Sequence, residues 1–245
     1  MKHQGLDCRI DKLPEATVVS ASGPFDGPAA PGLRRVLLKC LVDEPKALIL
    51  ELFEITVVEE AALAVVPAVA RQASIWPGVP FAVAASRGVV SDAINRLGAG
   101  RTFPLLATTG EALAVARDGG ASPTVREFLP PVAGAARHAR TVTTDACLRW
   151  ELEHLFPAAC VVVSELVSNA SRHANTTMSL RLSYRSRYLL IAVEDGSTAP
   201  PTTRAMPDAT DTGSGRGIPL INVTADRWGW LPTDGGKVVW AALRA

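Results

Sequence analysis

The first half of the chain alternates short apolar runs with longer amphipathic stretches. Three runs are apolar or β-branched and predict strands, at residues 16–23, 46–55 and 80–86. Four stretches have helical spacing of apolar residues and predict helices, at residues 31–43, 59–73, 89–98 and 109–119. We expect Pro67 to kink the second of these helices. The alternation predicts an α/β domain with a partly parallel sheet.

The second half places two helices before a group of strands. Helical patterns cover about residues 132–153 and 161–174, and strand patterns follow at 178–184 and 188–195. Two last strand patterns, "DRWGWLP" and "KVVWAAL", flank a hairpin turn at residues 233–236. Helices followed by hairpin-connected strands predict an α+β domain with its helices on one face of the sheet.

The boundary between the halves lies where Gly, Ser, Pro and Asp concentrate, at residues 116–125. We therefore expect a first domain at residues 1–118, a linker at 119–129 and a second domain at 130–245. Each domain is of ordinary size for an independent core.

Composition and charge narrow the classes of function. Hydrophobic residues make up 48% and charged residues 20% of the chain, a balance typical of globular proteins. The formal net charge of +1 gives no reason to expect direct binding to nucleic acid or to a membrane surface. The four cysteines form no Cys-x-x-Cys pair, so we expect no zinc site. Without a signal-like or membrane-spanning run, we expect a reducing, cytoplasmic location.

A polar stripe in "VVVSELVSNASRHA" is the first candidate for chemistry. Glu165 and Asn169 are four residues apart, so a helix places them one above the other. Leu166, Val167 and Ala170 take the core-facing arc, and small serines leave room around the stripe. Taken alone, such a pair is routine on the solvent side of an amphipathic helix, and it gains weight only from signals elsewhere.

Three further signals lie in the loops of the second half. Asp195-Gly196 ends an apolar strand and places a carboxylate where the sheet stops. The run "GSGRG" opens an apolar helix, where backbone N–H groups and the helix dipole favour a phosphate. Gly235-Gly236-Lys237 precedes the last strand. The alternative for the glycine run is an ordinary flexible start of a helix, and it is neither a Rossmann fingerprint nor a P-loop.

In order, the motifs E-x-x-x-N-x-x-x-H, D-G, G-x-G-x-G and G-G-K-x-V-W are far more specific than any one of them. On these motifs, residues 130–245 resemble the GHKL (Bergerat-fold) ATPases, and more narrowly the bacterial anti-sigma factor serine kinases. "SELVSNASRHA" is similar to the N-box, "VEDGS" to the G1 box, "GSGRGIPLINVTADRWG" to the G2 box and "GGKVVWAAL" to the final strand. The resemblance implies an α/β sandwich with helices on one face of a mixed, largely antiparallel sheet.

The resemblance also implies a role for each motif residue. Glu165 would be the general base for the attacking hydroxyl, and the amide oxygen of Asn169 would tether Mg2+. Asp195 would accept a hydrogen bond from the adenine amine of ATP, and Gly196 would let the base approach. The other nucleotide-binding candidates are His173, Gly213, Gly215, Arg216, Gly217 and Lys237. For His173, a solvated position at the helix end is an equal alternative.

The second half departs from the family pattern at two places. The G1 box often reads D-x-G-x-G, whereas the second glycine is replaced here within "DGSTAPP". Some of these kinases carry an arginine two residues before the G-x-G, a place that Gly213 holds in this chain. Arg216 is the candidate substitute for that positive charge.

Residues from about 6 to 118 resemble a STAS domain, the fold of anti-anti-sigma factors. The carrying stretches are "GPFDGPAAPGLRRVL", at the start of its first helix, and "LILELFEITVVEEAAL", over its phosphoacceptor loop. The resemblance puts Glu60 at the phosphoacceptor serine and Glu59 at the aspartate before it, so the hydroxyl is missing. Our hypothesis is that Glu60 imitates the phosphorylated state. The alternative is drift, with both glutamates as a plain capping pair.

Together the two resemblances imply a regulator with a degenerate STAS domain and a kinase domain. The second domain would bind Mg-ATP and, as a serine/threonine kinase, phosphorylate a separate STAS-domain anti-sigma factor antagonist in partner-switching control of transcription. A sigma factor is a further partner that the resemblance implies, and a homodimer is a further expectation. Two alternatives stay open: an ATP-sensing binding module without phosphotransfer, and a hydrolytic GHKL ATPase, which the lack of a transducer segment disfavours.

Overall fold

The computed structural model describes residues 5–98, 100–118, 122–201 and 217–245. The chain forms two compact units, Met1–Ala121 and Ser122–Ala245. Each unit contains one sheet of five strands together with its own helices. The two units are therefore described separately.

The first unit is an α/β domain whose elements alternate along the chain. In order they are β1 (Asp7–Lys12), β2 (Thr17–Phe25), α1 (Ala30–Val42), β3 (Leu48–Val57), a 3-10 turn (Glu60–Ala64), α2 (Val65–Ile75), β4 (Phe81–Ala84), α3 (Val89–Arg96), β5 (Leu105–Leu106) and α4 (Thr109–Asp118). The sheet order is β1-β2-β3-β4-β5. β1 pairs antiparallel with β2 and the other described pairings are parallel, so the prediction of a partly parallel sheet is confirmed.

The central strand β3 explains why the strands of the first unit have nearly continuous apolar sequences. Its consecutive residues Leu48, Ile49 and Leu50 are all fully buried, which requires cover on both faces of the sheet. On one face, Ile49 packs in a cluster with Ala112 and Ala116 of α4. Because α4 covers this face of the sheet, apolar residues can occupy it instead of the polar residues that a solvent-exposed face would carry.

Pro67 does not kink a long helix as the sequence led us to expect. The structure replaces the single predicted helix with the 3-10 turn Glu60–Ala64 followed directly by α2, which begins at Val65. Pro67 thereby falls in the first turn of α2. A proline is tolerated there because the missing N–H costs little at the start of a helix.

The second unit carries its helices on one face of an antiparallel sheet. Its elements are β6 (Thr124–Leu129), α5 (Ala135–Arg149), a 3-10 turn (Glu153–Leu155), α6 (Phe156–His173), β7 (Met178–Arg185), β8 (Tyr188–Asp195), α7 (Gly217–Thr224), β9 (Arg227–Pro232) and β10 (Lys237–Arg244). The sheet order is β6-β7-β8-β10-β9, and every described pairing is antiparallel. The predicted fold class is confirmed for both units.

The core of the second unit lies between α6 and the sheet. Leu166 and Val167 of α6 belong to one buried cluster with Leu189, Ile191 and Val193 of β8. Because side chains alternate along a strand, the next residue on this helix-covered face is Asp195, the last residue of β8. The carboxylate of Asp195 therefore lies at the edge of the apolar core.

Several element bounds differ from the sequence prediction. Residues 124–129, placed in the linker by sequence, form the edge strand β6. α6 begins at Phe156 with a proline in its first turn, five residues before the predicted start at 161. The strand β1 was not predicted, because its sequence "DCRIDK" is mostly exposed and only partly buried at a sheet edge.

Candidate functional site

The polar stripe predicted from the sequence lies on α6. Glu165 and Asn169 are half-buried, while the neighbouring arc of the helix is fully buried in the core. His173 is exposed in the last turn, next to the exposed Arg172. Among the described residues, the side chains of Glu165, Asn169 and His173 take part in no hydrogen bond or ion pair. Within the described part of the chain, these polar atoms are not taken up by the protein itself.

The C-terminal end of α6 lies at the same end of the sheet as the last residues of β8. Only four residues lie between the end of α6 and the start of β7, and Ser179 of β7 pairs with Glu194 of β8. The loop that connects α6 to β7 contacts the end of β8 directly: the Gly196 N–H donates to Thr176 Oγ1 over 2.9 Å. Asn169 and His173 therefore lie on the C-terminal part of α6, which is at the same end of the sheet as Asp195.

Asp195 forms a buried ion pair with Lys237, the first residue of β10. Lys237 Nζ donates to Asp195 Oδ1 over 2.9 Å, and the two side chains are only 2% and 1% exposed. The register explains the meeting, because Lys237 pairs directly with Asp195 across the antiparallel strands. A buried ammonium requires such a counter-charge, since a lone desolvated charge is strongly unfavourable.

The same oxygen of Asp195 is held by the turn that follows it. The Ser197 N–H donates to Asp195 Oδ1 over 2.8 Å, and Lys237 Nζ also donates to the Ser197 carbonyl oxygen over 3.2 Å. The other oxygen, Asp195 Oδ2, is buried and has no hydrogen-bond partner among the described residues. An oxygen that is buried and unsatisfied in this way is costly unless a ligand donates to it.

Gly236 is required by the close approach of two backbones at this site. A Cβ atom on Gly236 would lie 1.8 Å from the Asp195 carbonyl oxygen and 2.9 Å from Gly196 Cα. Gly196 is also confined, since a Cβ there would lie 3.0 Å from Thr176 Cγ2. Gly236, Thr176 and Ser197 were not among the site residues predicted from the sequence. Only the Gly-Gly pair before the last strand was a visible signal for one of them.

The remaining predicted residues divide into three groups. Gly217 is the first residue of α7, a helix that packs on α6 and inserts Ile221 into the core. Lys237 lies in the ion pair with Asp195. Three candidates lie outside the described residues: Gly213, Gly215 and Arg216.

In the first unit, Glu60 is held by an arginine. Arg96 Nε donates to Glu60 Oε1 over 3.0 Å and Arg96 Nη2 donates to Glu60 Oε2 over 2.8 Å, a two-pronged contact on the surface. The hydrogen bond from Arg96 lowers the pKa of Glu60 below its usual value, and the same contact raises the pKa of Arg96. Glu60 is the first residue of its 3-10 turn.

The neighbouring Glu59 is tied to a different part of the first unit. Its Oε2 accepts a hydrogen bond of 3.0 Å from the Gly27 N–H. A Cβ on Gly27 would lie 2.9 Å from that oxygen, so the glycine leaves room for the contact. The two glutamates thus have different partners rather than acting as one capping pair.

The described residues contain no group of three or more His, Cys, Asp or Glu side chains arranged to hold a metal ion. Within the same part of the chain, no helix is both long and apolar enough to span a bilayer.

Each unit matches the model of a known protein family. Residues 8–112 match the family model of the STAS domain, and residues 129–243 match that of the histidine kinase-like ATPase domain. No protein of curated function matches the chain. A family of ATPases implies that the second unit binds ATP.

Two solved structures are similar to part of this chain. An anti-sigma factor antagonist from Mycobacterium paratuberculosis is 26% identical, with 46% of this chain and 96% of that chain covered at a TM-score of 0.43. The RsbU and RsbW domains of a Mycobacterium tuberculosis protein are 16% identical, with 50% of this chain and 32% of that chain covered at a TM-score of 0.39.

Proposed function

Because the chain joins a STAS domain to a histidine kinase-like ATPase domain, we propose that it is an ATP-dependent regulatory protein kinase. The second unit binds Mg-ATP and transfers a phosphoryl group to a serine or threonine hydroxyl. The acceptor is a separate STAS-domain antagonist of an anti-sigma factor, in partner-switching control of transcription. A sigma factor that the second unit sequesters is the further partner in this scheme.

The observation that carries the proposal is the orphaned oxygen of Asp195. Oδ2 is buried at the end of β8, on the helix-covered face, and accepts nothing from the described residues. The exocyclic amine of adenine is a donor that satisfies such an acceptor. The residues present therefore fit the base of ATP.

The stripe on α6 supplies groups for the other end of the nucleotide. Asn169 offers a half-buried amide oxygen, which suits Mg2+ because this ion prefers oxygen ligands and is commonly held by few protein groups together with phosphate. Bound Mg2+ would neutralise charge on the phosphates. Glu165, one helical turn earlier, places a carboxylate on the same face of α6.

Glu165 is the general base in this proposal. It takes the proton of the acceptor hydroxyl as the hydroxyl oxygen forms its bond to the terminal phosphorus of ATP. The bond from that phosphorus to the bridging oxygen breaks, and ADP leaves with the electron pair. A carboxylate suffices because phosphoryl transfer depends mainly on positioning and charge stabilisation.

The first unit is not the substrate in this scheme. The phosphoacceptor position is occupied by Glu60, whose carboxylate is already bound by Arg96. A carboxylate held by an arginine is the kind of contact that a phosphoserine would make in its place. We propose that this STAS unit stands in a state that resembles phosphorylation and acts as a docking or modulating module.

The second candidate, an ATP sensor without phosphotransfer, is favoured by one observation. After Asp195, where the G1 pattern D-x-G-x-G has its glycines, this chain has a turn whose Ser197 carbonyl oxygen is held by the buried Lys237. A fixed turn there favours nucleotide binding that changes affinity for a protein partner rather than rapid turnover.

The test uses the full chain with radiolabelled Mg-ATP and purified STAS-domain proteins as acceptors. The kinase proposal expects transfer that Glu165→Gln abolishes while ATP affinity stays within about threefold, because the base touches the acceptor rather than adenine. Glu153→Gln, an exposed glutamate in the same unit, is the matched control and should leave transfer unchanged. Binding without transfer to any acceptor selects the sensor. Absence of ATP binding in calorimetry refutes both candidates.

A further inference from the structure

ATP binding by Asp195 does not by itself explain why the buried residue paired with it, Lys237, is a lysine. We propose that Lys237 makes this site select adenine, by holding Asp195 as a carboxylate that can only accept hydrogen bonds at Oδ2. This inference rests on the proposed function and deepens it, since it assigns base specificity to a residue that does not itself touch the base. Lys237 is therefore a positioning residue.

The ion pair fixes which oxygen of Asp195 is free. Oδ1 receives two donors, Lys237 Nζ at 2.9 Å and the Ser197 N–H at 2.8 Å. Lys237 Nζ is tied in addition to the Ser197 carbonyl at 3.2 Å. The carboxylate cannot rotate without breaking these contacts, so Oδ2 is the oxygen presented to a ligand.

The ammonium group also fixes that oxygen as a hydrogen-bond acceptor. An ionised carboxylate carries no O–H and accepts at both oxygens. Adenine presents an amine at its 6-position, whereas hypoxanthine and guanine present a carbonyl oxygen there. The ion pair therefore favours adenine and opposes the 6-oxo bases, whose oxygen would face another acceptor in a buried position.

Removing Lys237 leaves the buried Asp195 side chain without its counter-charge. A buried carboxyl group that lacks a counter-charge takes up a proton rather than stay ionised. The protonated group offers an O–H and can donate to a 6-oxo base. Removing the ammonium thus changes which base is preferred. If Lys237 had only a structural role, its loss would weaken the binding of all nucleotides equally.

The experiment compares ATP with inosine triphosphate, which differs at the 6-position, by calorimetry of the full chain with Mg2+. We expect the wild type to prefer ATP by about ten- to a hundredfold, the worth of a hydrogen bond to a charged group. In Lys237→Met the ratio of the two dissociation constants should fall by at least about tenfold. Lys237→Arg should keep the preference, because it retains the positive charge.

Lys12→Met is the matched control. Lys12 also forms an ion pair, with Asp43 at 2.7 Å, but its side chain is 69% exposed and lies in the first unit. Loss of that lysine should leave the nucleotide preference unchanged. A change of the ratio in Lys12→Met equal to that in Lys237→Met would overturn the assignment.

A second variant keeps the inference testable if Lys237→Met does not fold. In Asp195→Asn the two donors at Oδ1 require the amide oxygen there, so the NH2 group takes the place of Oδ2 and donates. The preference should then reverse towards inosine triphosphate. If the wild type prefers ATP and both Lys237→Met and Asp195→Asn keep the same preference, the role of Lys237 is refuted while the proposed ATP binding stands. A wild type that binds neither nucleotide overturns the proposed function together with this inference.

Discussion

Replacing Gly236 by alanine places a methyl group inside the backbone of the neighbouring strand. The added Cβ would lie 1.8 Å from the Asp195 carbonyl oxygen, 2.8 Å from its carbonyl carbon and 2.9 Å from Gly196 Cα. All three are backbone atoms at the end of β8, so no side-chain rotation relieves the overlap. The strands themselves must separate.

The size of the effect follows from these distances. An ordinary contact begins at 3.4 Å, so β8 and β10 must move apart by about 1.6 Å at this point. Overpacking of this kind costs about 1–3 kcal/mol, and here it also pulls at the adjacent Lys237–Asp195 pair. We expect the second unit to lose at least about 2 kcal/mol of unfolding free energy. ATP affinity should fall at least about tenfold, as Asp195 leaves its position.

Denaturant unfolding followed by tryptophan fluorescence measures this loss. Four of the five tryptophans, Trp150, Trp228, Trp230 and Trp240, lie in the second unit, so the signal reports mainly on it. Gly235→Ala is the matched control, because a Cβ at Gly235 would meet no atom within 4 Å. That variant should unfold within about 0.5 kcal/mol of the wild type.

The reasoning is refuted if Gly236→Ala unfolds at the same denaturant concentration as Gly235→Ala and binds ATP equally well. Such a result would mean that β8 and β10 lie far enough apart at Gly236 to accept a methyl group. An equal loss in both variants would show instead that the hairpin tolerates no alanine at all, for reasons of backbone conformation rather than of contact.

Three further predictions concern residues away from that hairpin. Glu60→Ser restores a hydroxyl at the acceptor position, and phosphopeptide mass spectrometry with a STAS-directed kinase should find ATP-dependent phosphate there and none in the wild type; no incorporation in the restored protein counts against the mimic. Because Arg96 lowers the pKa of Glu60, their contact is present at neutral pH and lost as pH falls through the lowered value. In Arg96→Gln, a carboxyl titration by NMR should show the pKa of Glu60 back in its ordinary range, and an unchanged titration would refute the contact. Burial raises the pKa of Cys147 from 9.0 to about 11, so its contribution to stability is present below pH 9 and is lost as pH rises towards 11. Iodoacetamide at pH 8 should therefore label Cys147 only after unfolding, and rapid labelling of the folded chain would contradict its burial.

The order of elements in both units was visible in the spacing of apolar residues. β8 has the bounds that the sequence predicts, Tyr188–Asp195, because a buried strand flanked by polar turns leaves little ambiguity. β1 was missed since "DCRIDK" is a short, mostly exposed edge strand whose stability comes from pairing with β2 rather than from its own pattern. The start of α6 was placed late because Pro157 and the small residues after it give no apolar period.

The candidate site was found in outline by sequence, because its residue types stand at motif spacings. The sequence placed Glu165 and Asn169 on one face of a helix, and the structure has them half-buried on α6. It also placed Asp195 at the end of a strand. It treated Lys237 as one more nucleotide-binding residue, whereas the structure pairs it with Asp195.

What the sequence determined is local: the periods of helices and strands, the turn residues between them, and the chemical types at motif positions, all of which act over a few residues. What only the tertiary structure decided is which distant groups meet. Lys237 and Asp195 are 42 residues apart, and they touch because β8 and β10 pair in one particular register. A shift of that register by one residue would turn the lysine to the other face of the sheet and leave a buried carboxylate alone.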